Sequence, residues 1–181
     1  MSNSLVILDR DGVINYDSDS YIKSPDEWQA IPGSIEAIAR LSRAGKIICV
    51  ATNQSGLARG LFDEITLANI HAYMSHLVEE AGGQIDAIFF CPHGPDDGCH
   101  CRKPETGMLE QIKSEFGLEL KGSYFVGDSE KDIDAALTCD CQPILVRTGN
   151  GRLTEQNLDS DKKQKVLITD TLNSAAEIIL G

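Results

Sequence analysis

Short apolar runs alternate with amphipathic stretches along most of the chain. Leu5 to Leu8, Lys46 to Thr52, Ala87 to Cys91, Ser123 to Val126, Pro143 to Val146 and Val166 to Thr169 are rich in β-branched and apolar residues, and read as buried strands. Helix faces fall between them. Ile35, Ile38 and Leu41 mark the first, ended by Gly45, and Leu67, Ile70, Met74, Leu77, Val78 and Ala81 mark the second, between Asp63 and Gly82-Gly83. Met108, Leu109, Ile112 and Phe116 follow Thr106 as a predicted cap, and two more helices run through Ile133, Ala136 and Leu137 and through Leu172, Ala175, Ala176 and Ile179. His71 and His76 ride on the second helix without metal-ligand spacing and are expected at the surface or half-buried. Residues 12–32 and 151–165 lack sustained periodicity and read as loops. Trp28 is the packing anchor expected for the first of these.

Strands alternating with helices predict an α/β fold of three layers, a mostly parallel sheet covered on both faces. With 181 residues, the chain is expected to form a single domain over residues 1–181 with a substantial core. Sixteen basic against 28 acidic residues leave a net charge of −12. Such a surface repels nucleic acid and anionic membranes, so an anionic substrate needs a local cationic pocket. No apolar run approaches the roughly 18 residues of a membrane span. Nor does the N-terminus show a basic segment leading into an apolar one, so a cytoplasmic protein is the expectation, and separately a monomer.

The chemistry starts at the end of the first strand. Asp9-Arg10-Asp11-Gly12 places two carboxylates beside a turn, at the strand end where open α/β sheets bind ligands. Carboxylates held so close need a cation, a shared proton, or both. Thr52, the Arg102-Lys103 pair and Asp128 follow other strands, so all four positions gather along one edge of the sheet. Asp9 and Asp128 suit Mg²⁺, which takes one or two protein carboxylates and keeps its other positions for water and phosphate oxygens. Lys103 and the Thr52 hydroxyl could neutralise phosphoryl oxygens.

Cys91-Pro92-His93 and Cys99-His100-Cys101 crowd three thiols and two imidazoles into eleven residues. Cys91, His93, Cys99 and Cys101 form a donor set suited to tetrahedral Zn²⁺ with no open position, hence a structural site; His100 is the substitute ligand. Cys139 and Cys141, with no histidine nearby, read as buried free thiols, and Cys49 as core.

Asp9-Arg10-Asp11-Gly12, Thr52, Lys103 and Gly127-Asp128 with Asp132, in that order, resemble the motifs of the haloacid-dehalogenase-like (HAD) phosphohydrolases. The resemblance implies a HAD-like Rossmannoid fold. It also implies that Asp9 is a nucleophile passing through an aspartyl phosphate and that Asp11 is the acid and base. Mg²⁺ would sit on Asp9, Asp128 and the Asp11 carbonyl, with Asp132 orienting Lys103 or a metal-bound water. The zinc loop, with Asp9 to Asn15, Thr52 to Gly60 and Cys101-Arg102-Lys103-Pro104, narrows the resemblance to the heptose-bisphosphate and histidinol-phosphate phosphatases. That branch is capless, and its heptose members remove the 7-phosphate of D-glycero-D-manno-heptose 1,7-bisphosphate on the way to nucleotide-activated heptose for lipopolysaccharide cores or surface glycans. Arg102 would bind the distal phosphate of this small phosphorylated sugar. Arg10, Asn53, Gln54 and Ser55, with Asp17 and Tyr21 from the long loop, would contact the substrate too. Ser129 departs from the pattern, since some relatives carry lysine there. The alternatives are a histidinol-phosphate phosphatase and, from another class, a phosphoacceptor receiver domain or a zinc-stapled interaction module. The −12 charge speaks against a polynucleotide phosphatase.

Overall fold

A computed structural model describes residues 5–181. The first four residues of the N-terminal segment read above for a leader lie outside the described residues. Six strands, β1 (Leu5–Leu8), β2 (Ile47–Asn53), β3 (Ala87–Cys91), β4 (Tyr124–Gly127), β5 (Gln142–Val146) and β6 (Leu167–Thr169), form one sheet in the order β3-β2-β1-β4-β5-β6. Every pairing is parallel, with Leu8 opposite Val50 on one side and Val126 on the other. The order reverses direction at β1, so the carboxyl ends of β1 and β4 frame the crevice where such sheets bind ligands.

Period-two alternation assigns the two cores. Val6, Leu8, Ile48, Val50 and Val126 face α1 (Ser34–Arg43), α2 (Glu64–Glu80) and α7 (Leu172–Leu180), through Ile38, Leu41, Ile70, Met74, Ala176 and Ile179. Leu5, Ile7, Cys49, Ala51 and Phe125 face the other way, onto Met108, Leu109 and Ile112 of α3 (Gly107–Phe116) and Ala135 and Ala136 of α4 (Glu130–Thr138). Strands buried on both faces carry apolar residues at consecutive positions, which is why β1 is legible as a run. Among the described residues, no helix is long and apolar enough to cross a membrane.

Some expectations needed correction. Residues 151–165 form two short helices, α5 (Gly151–Asn157) and α6 (Ser160–Lys165), rather than a loop. They have almost no apolar stripe: Leu153 is exposed, and the packing comes from Leu158 and Val166 at their ends. Thr106 occupies the N-cap of α3, but its hydroxyl donates to Glu110 Oε1 at 2.8 Å instead of capping the backbone. His71 is buried at 7% exposure, not half-buried, because it falls on the apolar stripe Leu67-His71-Met74-Val78. His76 is on the outside, 3.5 Å from Glu80. Of the two late cysteines, Cys141 is buried and Cys139 only partly so.

The long loop after β1 folds back over the sheet edge. Asn15 bridges to Asp11 and to Ala30, and a single 3₁₀ turn spans Pro25–Glu27. Trp28 holds the loop down at 3% exposure, edge-on to Tyr73 with ring centroids 5.9 Å apart.

Candidate active site and metal sites

The crevice at the carboxyl ends of β1 and β4 is a cavity of about 410 Å³. Asp9, Arg10, Asp11, Asn53, Gln54, Ser55, Arg102, Lys103, Asp128 and Asp132 line it, with Asp17, Asp19 and Tyr21 from the long loop. Thr52 lies just beneath, 1% exposed. Its Oγ1 accepts from Gln54 Nε2 at 2.9 Å, which leaves its own proton to be donated elsewhere.

Lys103 ties two carboxylate-bearing segments together. Its Nζ lies 2.9 Å from Asp9 Oδ1 and donates to Asp132 Oδ1 at 2.7 Å, with only 3% of the side chain exposed. Burial opposes the ammonium charge, but Asp132 and Asp9 outweigh it and raise the Lys103 pKa. The other oxygen of Asp132 accepts from the Asp128 and Ser129 amides at 3.2 and 3.1 Å and from the Ser129 hydroxyl at 2.8 Å. Both oxygens of Asp132 are therefore committed, one to the lysine and one to the start of α4.

Asp9 Oδ1 also accepts from the Arg10 amide at 2.8 Å. Asp128 Oδ2 accepts from the Asn150 amide at 2.8 Å. Gly12, at φ +82°, and Gly149, at φ +55°, press their backbones against this carboxylate; a Cβ on either would collide with Asp128 Oδ2. Asp9, Asp128 and Asp132 each offer an oxygen within 4.8 Å of the others. Burial first, then Asp132, pushes Asp128 up to about 7, and burial with Asp132 and Asp128 raises Asp9 well above the usual carboxylate range. Three buried carboxylates against one ammonium leave an excess of negative charge that a hard divalent cation would relieve. The donor set fits Mg²⁺ on those grounds.

Asp11 is held differently. Its Oδ1 accepts from Arg10 Nη2 at 2.8 Å, Arg10 Nε at 3.2 Å and Asn15 Nδ2 at 2.9 Å, and its Oδ2 from Gln54 Nε2 at 2.9 Å. Burial alone would raise its pKa. The Arg10 guanidinium and these hydrogen bonds prevail and hold it below the usual range. The Asp11 balance, open in the sequence, thus falls on the carboxylate side in the free protein.

Several side chains expected to contact substrate line the cavity and also hold protein partners. Arg10 is 1% exposed, and its guanidinium is held between the Asp11 carboxylate and His71 Nε2. Asn53 makes a reciprocal pair with the Lys103 backbone, 3.1 Å from Nδ2 to the carbonyl and 3.0 Å from the amide to Oδ1. The Gln54 amide bridges Asp11 and Thr52. Ser55, Asp17 and Tyr21 do line the cavity, and Arg59 stacks over the Tyr21 ring at 5.8 Å. Arg102 faces it too, its Nη1 donating to the His93 carbonyl at 3.3 Å. Lys131, one turn after Asp128 and not marked by any motif, lines both this cavity and a neighbouring one of about 330 Å³ by the cysteine loop. Asn15, a local donor to Asp11, went unassigned as well, as did Asn150 and His71, whose roles depend on contacts distant in sequence.

Cys91, His93, Cys99 and Cys101 converge. Sulfur–sulfur separations are 3.1 to 3.6 Å, and His93 Nδ1 lies 3.6 Å from Cys91 Sγ and 3.3 Å from Cys101 Sγ. A tetrahedral ion with Zn–S bonds of about 2.3 Å has S···S edges of about 3.8 Å, whereas a disulfide requires about 2.05 Å. The four donors thus outline a slightly contracted tetrahedron, and the cluster could bind zinc. His100 is outside it.

The chain resembles known proteins over almost its full length. Residues 100–175 match the HAD-hydrolase-like family. It is 56% identical over 180 residues to the D-glycero-beta-D-manno-heptose-1,7-bisphosphate 7-phosphatase of Pseudomonas aeruginosa, covering 99% of each chain. The protein of the same name from Bordetella bronchiseptica is 58% identical over 150 residues, covering 83% of this chain and 84% of that one. The crystal structure of D,D-heptose 1,7-bisphosphate phosphatase from B. bronchiseptica, complexed with magnesium and phosphate, superposes with a TM-score of 0.92 at 51% identity, covering 98% of each chain.

Proposed function

We infer the reaction from one premise: the chain belongs to the D-glycero-beta-D-manno-heptose-1,7-bisphosphate 7-phosphatase family of HAD-like hydrolases. It is a phosphatase that removes the 7-phosphate of D-glycero-β-D-manno-heptose 1,7-bisphosphate. The observation that carries the reading is the meeting of Asp9, Asp128, Asp132 and Lys103 above the β1–β4 crevice.

Asp9, Asp128 and the backbone carbonyl of Asp11 would hold Mg²⁺, which when bound offsets charge on the phosphate and on Asp9. Lys103 and the Thr52 hydroxyl neutralise the remaining phosphoryl oxygens. An Asp9 carboxylate oxygen attacks phosphorus in line, and the bond to the sugar oxygen breaks as the new one forms. Asp11 gives its proton to the departing alkoxide. Water then attacks the aspartyl phosphate at phosphorus, returns a proton to Asp11 and frees Asp9 and phosphate. Asp11 is a carboxylate in the free protein. The negative charge of the arriving phosphate raises its proton affinity and readies it for the first half-reaction.

The second phosphate of the substrate meets Arg102 and Lys131. Among the described residues, neither Arg102 nor Lys131 forms an ion pair, and both line the cavity. Zinc on Cys91, His93, Cys99 and Cys101 would hold the loop that carries Arg102. The test is ³¹P NMR of the β-anomeric bisphosphate with Mg²⁺, beside histidinol phosphate. Loss of the 7-phosphate with the 1-phosphate retained supports the assignment, and faster turnover of histidinol phosphate refutes it.

A further inference from the structure

Arg10 is large and only 1% exposed, and a buried guanidinium needs acceptors for its donors. Asp11 takes Nε and Nη2. The third nitrogen, Nη1, faces His71 Nε2 at 3.2 Å. Arginine offers donors only, so Nε2 must be the bare, accepting nitrogen and the ring proton must sit on Nδ1. Burial, with the nearby Arg10 charge, keeps the ring neutral by lowering its pKa to about 3. The Phe90 ring packs beside it, centroids 6.2 Å apart. His71 belongs to α2 and does not line the cavity, so it meets the reacting groups only through Arg10.

We propose that His71 is a positioning residue for the phosphatase reaction, which anchors Arg10 so that the guanidinium sets where the Asp11 carboxyl stands beside Asp9. The inference rests on the phosphatase reading above. Asp11 must reach a departing alkoxide in one half-reaction and a water in the other, from nearly the same place. Arg10 grips that carboxyl along one edge, and its orientation is fixed only if its far side is held. With no acceptor at residue 71, Nη1 is a buried donor without a partner. The guanidinium then turns to find one and draws Asp11 out of line.

Two substitutions and two esters test this. His71→Phe fills the space without an acceptor, and His71→Gln restores an oxygen near the position of Nε2. On the sugar bisphosphate, the Phe variant should lose about ten- to a hundredfold in kcat with KM nearly unchanged. The Gln variant should stay within about threefold of the parent. On p-nitrophenyl phosphate the leaving group departs without a proton. The Phe variant should therefore release a burst of nitrophenolate at the parent's rate, followed by slow turnover as the water step fails. Parental kcat in the Phe variant, equal losses in both variants, or a slowed burst would overturn the proposal. Should the Phe variant not fold, His71→Asn takes its place, its amide too short to reach Nη1, and equal activity of the Asn and Gln variants overturns it. Parent protein that releases no phosphate from either ester with Mg²⁺ refutes the phosphatase reading itself, and the inference falls with it.

Discussion

Acid should destabilise this protein through His71 in a way that can be isolated. An unfolded histidine titrates near 6.5, while burial and the facing Arg10 lower the folded value to about 3. Between those values the unfolded chain binds a proton that the folded chain refuses. The unfolded state then binds more protons, so stability rises with pH across the window. The contribution is fully present above 6.5 and is lost as pH falls toward 3. Each pH unit is worth about 1.36 kcal/mol, which gives about 2 kcal/mol at pH 5 and about 5 kcal/mol near the folded value. No discount for solvent applies, since the ring is 7% exposed. Urea unfolding of the parent and of His71→Gln, at about pH 7.5 and about pH 5, reads the effect as a difference. Glutamine does not titrate, and every other ionisable group is common to both proteins. The parent should lose about 2 kcal/mol more than the variant between the two conditions. A difference that is the same at both pH values, or smaller for the parent, would show that the ring is not held neutral against Arg10.

Other substitutions probe the remaining parts. Lys103→Met strands Asp9 and Asp132, buried partners at 2.9 and 2.7 Å. It should cost about 3–5 kcal/mol in urea unfolding of the metal-free protein, along with nearly all activity. Gly12→Ala forces a Cβ into Asp128 and a left-handed backbone worth about 1–2 kcal/mol. Its Mg²⁺ affinity, read by calorimetry, should fall while the far-ultraviolet spectrum is unchanged. Cys101→Ser should lower zinc content by elemental analysis. It should also reduce kcat/KM for the bisphosphate about tenfold, or about 1.4 kcal/mol, and for a small aryl phosphate much less, because the loop carries Arg102.

What could be read along the chain was whatever depends on local spacing. β1 and the middle of β2 read as buried runs because both faces are covered, and Asp9 and Asp128 stand at the first position after their strands. The cysteine loop was legible because its four donors lie within eleven residues. What escaped depends on partners far away in sequence. Arg10 looks like a ligand contact until His71, 61 positions on, is seen to occupy its far side. A signal for His71 was present, four residues after Leu67 and three before Met74, on the buried stripe of α2. Asn53 and Gln54 look like donors to a ligand, but Lys103 and Asp11 take them. The helices at 151–165 escaped because they bury too little of their length to show a period.

The most direct test of the account asks where the phosphoryl group goes. Protein mixed with the bisphosphate and Mg²⁺, quenched in acid during turnover and treated with borohydride, converts an aspartyl phosphate into homoserine, which peptide mass spectrometry can place. The account predicts homoserine at residue 9 in the parent and none in Asp9→Asn, which should not turn over. Reduction at another carboxylate, or steady turnover by the Asp9→Asn protein, would contradict it.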